Sequence, residues 1–327
     1  MNNTEILKKK WVTVDNELSS FLNTYKKINK KTQDNIQTIF DSYEFTKDNI
    51  NKYANNTIIS RFKRVLEEII EEYDESDYYS YMARKYLKKG NIRNREILEF
   101  LIYTEYSKEK LKMDEYESIM FKKISEDAYS YAIKECEKIK PKPKRKLSWF
   151  DSHLIAILLL PNAKGDVWKD YKDGITEYNA KEIYKLAFVD INRDVKPDIS
   201  KPQYQKTIIS QQKRYINKKK ESDVDKYSGA LDDQVASVYN QVVVRAYQDF
   251  GIEEVKFVAT IDGKQTKMCN SLNNQVFKLN DYNTYSRWSE IDGKDVVYTT
   301  YGVEIGENLP PINNHFHYCR SSVIPTK

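Results

Sequence analysis

The sequence predicts an α+β protein: a predominantly helical, elongated scaffold followed by a small C-terminal domain of one long helix and short antiparallel strands. Apolar stripes with helical spacing fill the first part of the chain, where no glycine precedes Gly90 and no proline precedes Pro141. Alternating strand patterns occur only near the C-terminus. The chain has 327 residues, of which 40% are hydrophobic and 31% are charged. This length and polarity predict several substructures with a large surface.

Four apolar stripes predict helices in the first domain, residues 1–140. Residues that recur at steps of three and four lie on one face of a helix, and such a face usually packs into a core. The functional alternative is a helical arm that docks onto a larger assembly. The stripes are Leu7, Trp11, Val14, Leu18, Phe21, Leu22 and Tyr25; Phe62, Val65, Leu66, Ile69, Ile70 and Tyr73; Glu96–Tyr106; and Met120, Ile124, Ala128, Tyr131 and Ala132.

A proline- and lysine-rich segment marks the next boundary. In Lys140–Lys146, KPKPKRK, the prolines prevent a helix and the like charges repel one another. We interpret residues 141–149 as a basic linker; a basic tether that touches phosphate or an acidic surface is the alternative.

Residues 150–230 are predicted to be a mixed helical, basic segment. A short apolar helix is expected at His153–Leu160, and longer helices near Tyr178–Val189 and Pro202–Asn217. Between Lys201 and Lys220 there are seven cations and no acid. Such a run is most often a solvated helix face, but it is also the best candidate in the chain to face nucleic acid. The candidate residues are Lys213, Arg214, Lys218, Lys219 and Lys220.

The C-terminal domain, residues 231–327, combines a helix with strands. The helix has acidic residues in its first turn and a glycine just past its end, as helix termini prefer. Short alternating runs then predict half-buried strands, and an Asp-Gly pair predicts a hairpin turn. The predicted elements are a helix at Leu231–Phe250 capped by Gly251, strands at Val255–Thr260 and Gln275–Leu279, and a hairpin at Trp288–Tyr301 that turns at Asp292–Gly293.

This domain holds two of the three cysteines and two of the three histidines, namely Cys269, His315, His317 and Cys319. Four such side chains suffice for a structural zinc, and alternate residues of an extended segment face the same side. A metal-free, buried cysteine pair is the competing interpretation, and a disulfide is a further alternative in a mature extracellular particle. A thiol nucleophile with a histidine base and Asp262 as its orienting group is disfavoured, because no glycine-rich oxyanion turn adjoins Cys269. No other cofactor is expected.

Two short motifs in this domain carry a family resemblance. The first comprises Phe257, Ala259, Thr260, Asp262, Cys269, Leu272 and Phe277, and the second comprises Pro310, Pro311, Cys319, Arg320, Ser321 and Pro325. Together they resemble the C-terminal signature of phage head morphogenesis proteins, the Mu protein F-like minor capsid proteins of tailed bacteriophages. That signature reads approximately ATxDxxTxxxCxxLxGxxF, a variable gap, and PPxHxxCRSxxxP. The resemblance covers about Leu231 to the C-terminus.

Three features depart from the family pattern. Asn273 and Asn274 stand where a glycine is usual before the aromatic residue, although asparagine tolerates the same left-handed backbone conformation. Phe316 occupies the place of the expected histidine, so that His315 or His317 would have to substitute through a one-residue shift. The Trp288–Tyr301 hairpin is an addition within the gap.

The resemblance implies a structural virion protein rather than an enzyme. Such a protein would lie in the capsid interior or at the portal vertex, and in the host cytoplasm during assembly, and would assist procapsid assembly and DNA packaging or delivery. The implied partners are the portal protein, the major capsid or scaffolding protein and packaged DNA. An injected effector or enzyme that uses the Cys/His site is the alternative. The implied structural motif is Asp262, Cys269, Phe277, Pro311, Cys319 and Arg320.

Two further expectations concern charge and compartment. We expect Arg320 to bind a carboxylate or backbone carbonyls within the domain rather than DNA. The odd number of cysteines and the absence of an apolar N-terminal segment favour a reducing compartment. The longest apolar run, Leu154–Leu160, is too short to span a bilayer, so no membrane partner is expected.

Overall fold

The computed structural model describes residues 3–73, 78–139, 168–215, 218–221, 224–227, 230–259, 273–279, 284–289, 294–299 and 322–326. Long helices dominate this part of the chain, and the longer sheet is built from its C-terminal residues. The predicted class, a predominantly helical α+β fold, is confirmed. None of the described helices is long and apolar enough to cross a membrane.

Seven helices are described in the chain. Each of the four predicted N-terminal stripes lies on a helix, but the third and fourth stripes belong to a single helix, α4, rather than to two. Helix α2 begins where the Asn55 side chain accepts a hydrogen bond from the Ile58 amide at 2.9 Å, as an N-cap does. The helices are α1 Asn3–Ser42, α2 Asn56–Glu72, α3 Tyr78–Leu87, α4 Asn94–Cys136, α5 Trp168–Asn192, α6 Pro202–Tyr215 and α7 Ala230–Asp249.

The described strands form two antiparallel sheets. One sheet has five strands in the order β6-β5-β4-β3-β7, and the other is the pair β1-β2. The two predicted strands are confirmed as β3 and β4. A hairpin, β5 and β6, is also present, but it begins at Thr284 rather than at Trp288, and the predicted turn at Asp292–Gly293 lies outside the described residues. The strands are β1 Lys218–Glu221, β2 Val224–Tyr227, β3 Glu254–Val258, β4 Val276–Leu279, β5 Thr284–Ser289, β6 Lys294–Thr299 and β7 Ser322–Pro325.

Two local expectations need correction. The basic run was expected to form one helix face, but α6 ends at Tyr215 and Lys218–Lys220 lie on strand β1. Strand β3 was expected to be buried on one face only, yet Val258 on its other face is 1% exposed. The predicted linker at 141–149 and the predicted helix at His153–Leu160 lie outside the described residues.

The chain forms two compact units, each assembled from separated segments. The first unit comprises Met1–Thr24, Asp114–Lys172 and Gln212–Lys327, and the second comprises Tyr25–Met113 and Asp173–Gln211. Residues from the predicted 1–140 domain and from the predicted 150–230 domain therefore occur in both units.

Aromatic residues fill the core of each unit. In the second unit the buried Phe62 ring lies edge-on to Phe100 at 5.5 Å and to Tyr86 at 5.8 Å between ring centres. In the first unit the fully buried Tyr239 of α7 packs against Trp11 of α1 at 5.2 Å and Tyr131 of α4 at 6.5 Å. Three helices of the first unit thus share the core beneath its C-terminal segment.

Candidate functional site

The five-stranded sheet brings together the described ends of the two signature motifs. Strand β3 carries the buried Phe257 of the first motif, and β7 begins just after Arg320 and Ser321 of the second. The two strands pair antiparallel, with Val258 opposite Ser322 and Phe257 opposite Val323. The chain therefore leaves β3 toward the first motif at the same end of the sheet where it returns from the second.

Helix α7 fixes strand β7 through two buried hydrogen bonds. The Tyr247 hydroxyl donates to the Val323 carbonyl at 3.3 Å, and the Ser322 hydroxyl donates to Asn240 Oδ1 at 2.9 Å. Burial raises the pKa of the Tyr247 hydroxyl far above its ordinary value, so it remains a neutral donor. These bonds hold the C-terminal strand in one register against the helix.

The turn from α7 into β3 has the conformation predicted from Gly251. This glycine has φ of +65°, and the Ile252 amide donates back to the Tyr247 carbonyl at 2.9 Å. That pattern is a Schellman-type C-cap, in which a left-handed residue ends the helix. The same chain reversal directs the following residues into β3.

A β-bulge joins β3 to β4 at Asn274. The Asn274 amide donates to the Phe257 carbonyl at 2.8 Å, while the Phe257 amide donates to the Gln275 carbonyl at 2.9 Å. Two residues of one strand thus oppose one residue of the other, and the first of them, Asn274, has φ of +68°. This is the G1 bulge, whose first residue is usually glycine. The Asn273 side chain extends the pairing by accepting from the Ala259 amide at 3.0 Å.

The bulge makes a specific prediction about residue 274. Asn274→Gly should change the free energy of unfolding by less than about 0.5 kcal/mol, because glycine adopts positive φ without strain. Asn274→Ala should destabilise the protein by about 1 kcal/mol, because a β-carbon is disfavoured in this conformation. Asn274→Asp is the matched control, since aspartate also tolerates positive φ. Denaturant unfolding measures all three, and an alanine variant as stable as the glycine variant would contradict the bulge.

The other residues of the predicted site are placed only in part. Phe277 lies on β4 opposite Val255 of β3. Asp262, Cys269, Pro311, Cys319 and Arg320 lie outside the described residues, as do the two further predicted metal ligands, His315 and His317. In the part of the chain that the structure describes, no cluster of histidine, cysteine and acidic residues could hold a metal ion. The zinc hypothesis, the metal-free cysteine pair and the thiol nucleophile stay predictions.

The predicted nucleic-acid-facing residues fall on two elements. Lys213 and Arg214 are on the last turn of α6, and Lys218–Lys220 form most of β1. The pairing of β1 with β2 sets Lys219 directly opposite Lys226, a lysine that the sequence pattern did not single out.

A buried ion cluster in the first unit was missed from the sequence. The Lys172 ammonium of α5 donates to Asp114 Oδ1 at 2.5 Å and also to Glu117 Oε2 of α4. The Lys172 side chain is 8% exposed and that of Glu117 is fully buried. Glu117 lies in the buried stripe of α4 between Met113 and Met120. The sequence did hold a signal for this cluster, because Glu117 is an acidic residue at a position of the apolar stripe. An acid at such a position indicates a buried partner rather than a face exposed to solvent.

Comparison with known proteins identifies no relative of this chain. No protein-family model matches the chain, and no curated protein or solved structure matches it either. The function is therefore inferred from the residues and the geometry of the chain itself.

Proposed function

We propose that this chain is a phage minor capsid (head morphogenesis) protein, associated with the portal vertex, that assists procapsid assembly and DNA packaging or delivery. The observation that carries the proposal is the backbone at Asn274. The family signature has glycine at this place, and here φ is +68°, a conformation that glycine adopts most readily. At the position of the signature's glycine, the chain thus has a backbone conformation that favours glycine, although the residue is asparagine.

The β3–β7 pairing supports the same proposal. The two halves of the signature are far apart in sequence, yet the strands that adjoin them are neighbours, with Lys256 opposite Ile324 and Val258 opposite Ser322. A motif made of two distant halves has structural meaning only if the fold unites them. Here β3 and β7, the strands that adjoin the two halves, pair within one unit.

The proposed role is structural and not enzymatic. The portal protein and the major capsid or scaffolding protein are its proposed protein partners, and packaged DNA is the proposed partner of the lysines on α6 and β1. DNA phosphates would be bound by their charge alone, without base recognition, because a lysine-rich ribbon neutralises phosphates and carries no sequence information. No cofactor is proposed for this role.

Purified virions provide the direct test. The chain should be present in particles at low copy relative to the major capsid protein, and chemical cross-linking should join it to the portal protein. Phe257→Ala removes a fully buried ring from β3 and should abolish incorporation through loss of the sheet core. Tyr53→Ala, at a ring that is 60% exposed, is the matched control and should be incorporated normally. Absence of the wild-type chain from particles would refute the structural role.

A further inference from the structure

A buried carboxyl group lies in the second unit with one oxygen unsatisfied. Glu109 of α4 is 7% exposed. Its Oε1 accepts a hydrogen bond from Asn29 Nδ2 of α1 at 3.0 Å. Among the described residues, Oε2 has no hydrogen-bond partner. Burying an oxygen without a hydrogen-bond partner costs much more free energy when the group is charged than when it is neutral.

The carboxyl is the end of a chain of side-chain amides that crosses three helices. Asn29 donates through its amide nitrogen to Glu109 Oε1, and its own Oδ1 accepts from Gln33 Nε2 at 2.6 Å. Gln33 Oε1 in turn accepts from Gln205 Nε2 of α6 at 3.0 Å, and the same nitrogen donates to the Ile199 carbonyl at 2.8 Å. The amide chain therefore runs from Gln205 through Gln33 and Asn29 to Glu109, and each amide nitrogen donates to the next group.

Among the residues that the structure describes, no cation is paired with the Glu109 carboxyl. The neighbouring lysines on α4 are engaged elsewhere, Lys108 with Glu105 at 3.7 Å and Lys110 with Asp173 at 2.9 Å. The ionisable groups that interact with it are Tyr25 of α1 and Tyr106 of α4, and burial raises the pKa of both hydroxyls far above the ordinary value. Among the described residues, Glu109 therefore faces neutral groups.

Burial decides the protonation of Glu109. It raises the pKa of the carboxyl from the ordinary 4.5 to about 7, and the opposing hydrogen bond from Asn29 only reduces that rise. Folding then favours the protonated form. The stabilisation is complete below about pH 4.5 and is lost as the pH rises to about 7, since the folded state must then bury a charge.

We propose that Glu109 is a proton-dependent link between α1 and α4: the core accommodates the protonated carboxyl at the end of the amide chain, whereas loss of the proton buries an uncompensated charge there and loosens these helices within the second unit. The link does not depend on the function proposed for the C-terminal sheet. It makes the second unit responsive to pH near neutrality, a range in which ordinary carboxyl groups do not titrate.

The first test compares wild type with Glu109→Gln by denaturant unfolding from about pH 5 to about pH 8. Glutamine keeps the shape and the acceptor for Asn29 but cannot ionise. Relative to the variant, the unfolding equilibrium constant of wild type should rise on the order of 100-fold across this range. A ratio that stays constant with pH would overturn the proposal.

A second pair of variants separates the link from a merely structural contact. Asn29→Ala removes a bond that favours the ionised carboxyl, so the midpoint of the pH-dependent loss should move to higher pH. Asn35→Ala removes the equivalent bond between the same two helices, from Asn35 Nδ2 to Glu105 Oε2 at 2.6 Å, and should leave that midpoint in place. Hydrogen exchange of the α1 amides, corrected for intrinsic rates, should become faster above about pH 7 in wild type but not in Glu109→Gln. Identical midpoints in both alanine variants would contradict the link.

Discussion

Lys172→Met should lower the free energy of unfolding by about 3–5 kcal/mol, one of the largest effects expected for a single substitution in this chain. The ammonium of Lys172 lies 2.5 Å from Asp114 Oδ1 and also binds Glu117. Asp114 is one-third exposed and can be solvated, but the Glu117 side chain is fully buried. Removing the ammonium therefore takes away the cation that the buried Glu117 carboxylate binds, and the cost of burying that charge dominates the loss.

Two further variants show whether charge burial is the cause. Lys172→Met combined with Glu117→Met should recover most of the loss, because the isolated charge disappears along with its partner. Lys185→Met removes a lysine that is 55% exposed and paired with Glu182 on the same helix, α5, and should cost less than about 1 kcal/mol. The single and double variants are compared with wild type by denaturant unfolding, followed by a spectroscopic signal that reports tertiary structure. A double variant as unstable as the sum of its two single variants would refute the coupling.

Trp11→Ala should also destabilise the first unit by about 3–5 kcal/mol. Trp11 is 4% exposed, and its ring lies 5.2 Å from that of the fully buried Tyr239 of α7. Truncation to alanine removes a large apolar surface and leaves a cavity in the core that α1 and α7 share. Because α7 holds strand β7, the C-terminal sheet should become sensitive to protease together with α1.

The adjacent residue provides the matched control. Val12 is on the same helix but 55% exposed, so Val12→Ala should change stability by less than about 0.5 kcal/mol. Limited proteolysis at increasing temperature, with the fragments identified by mass spectrometry, gives the readout. If Trp11→Ala leaves the resistance of α7 and the sheet unchanged, the N-terminal helix is not part of their core.

The sequence predicted those features of the fold that depend only on residues close together in the chain. Apolar spacing alone predicts α1, α2 and α7, since one face of each is buried. A glycine past the last helical turn predicts the C-cap at Gly251, and the tolerance of asparagine for positive φ accounts for the bulge at Asn274. For the candidate site, the sequence therefore predicts the strands and turns around the motif, and Phe277 is found on the strand expected for it.

The apolar pattern of α4 is interrupted in the sequence by acidic residues that other helices bind in the folded protein. Two separate stripes were predicted, at Glu96–Tyr106 and from Met120 to Ala132, yet one helix continues through the gap between them and its buried stripe includes acids. Glu109 and Glu117 hold core positions because Asn29 and Lys172 reach them from other helices. A charged residue belongs to a core only when a distant segment supplies its partner, and periodicity carries no information about that segment. The buried stripe is Ile102, Tyr106, Glu109, Met113, Glu117, Met120 and Ile124.

The sequence by itself determined most of the helices, the strands of the C-terminal domain and the left-handed conformation at Gly251. Only the tertiary structure decided that Trp11 belongs to the same core as Tyr239, that Val258 is buried on the second face of its strand, and that Val258 and Ser322 are neighbours. The physical reason is the range of the interactions. Dihedral preferences and apolar spacing act within a few residues, whereas burial and pairing depend on which distant surfaces are complementary, and one stretch of chain does not specify its partner.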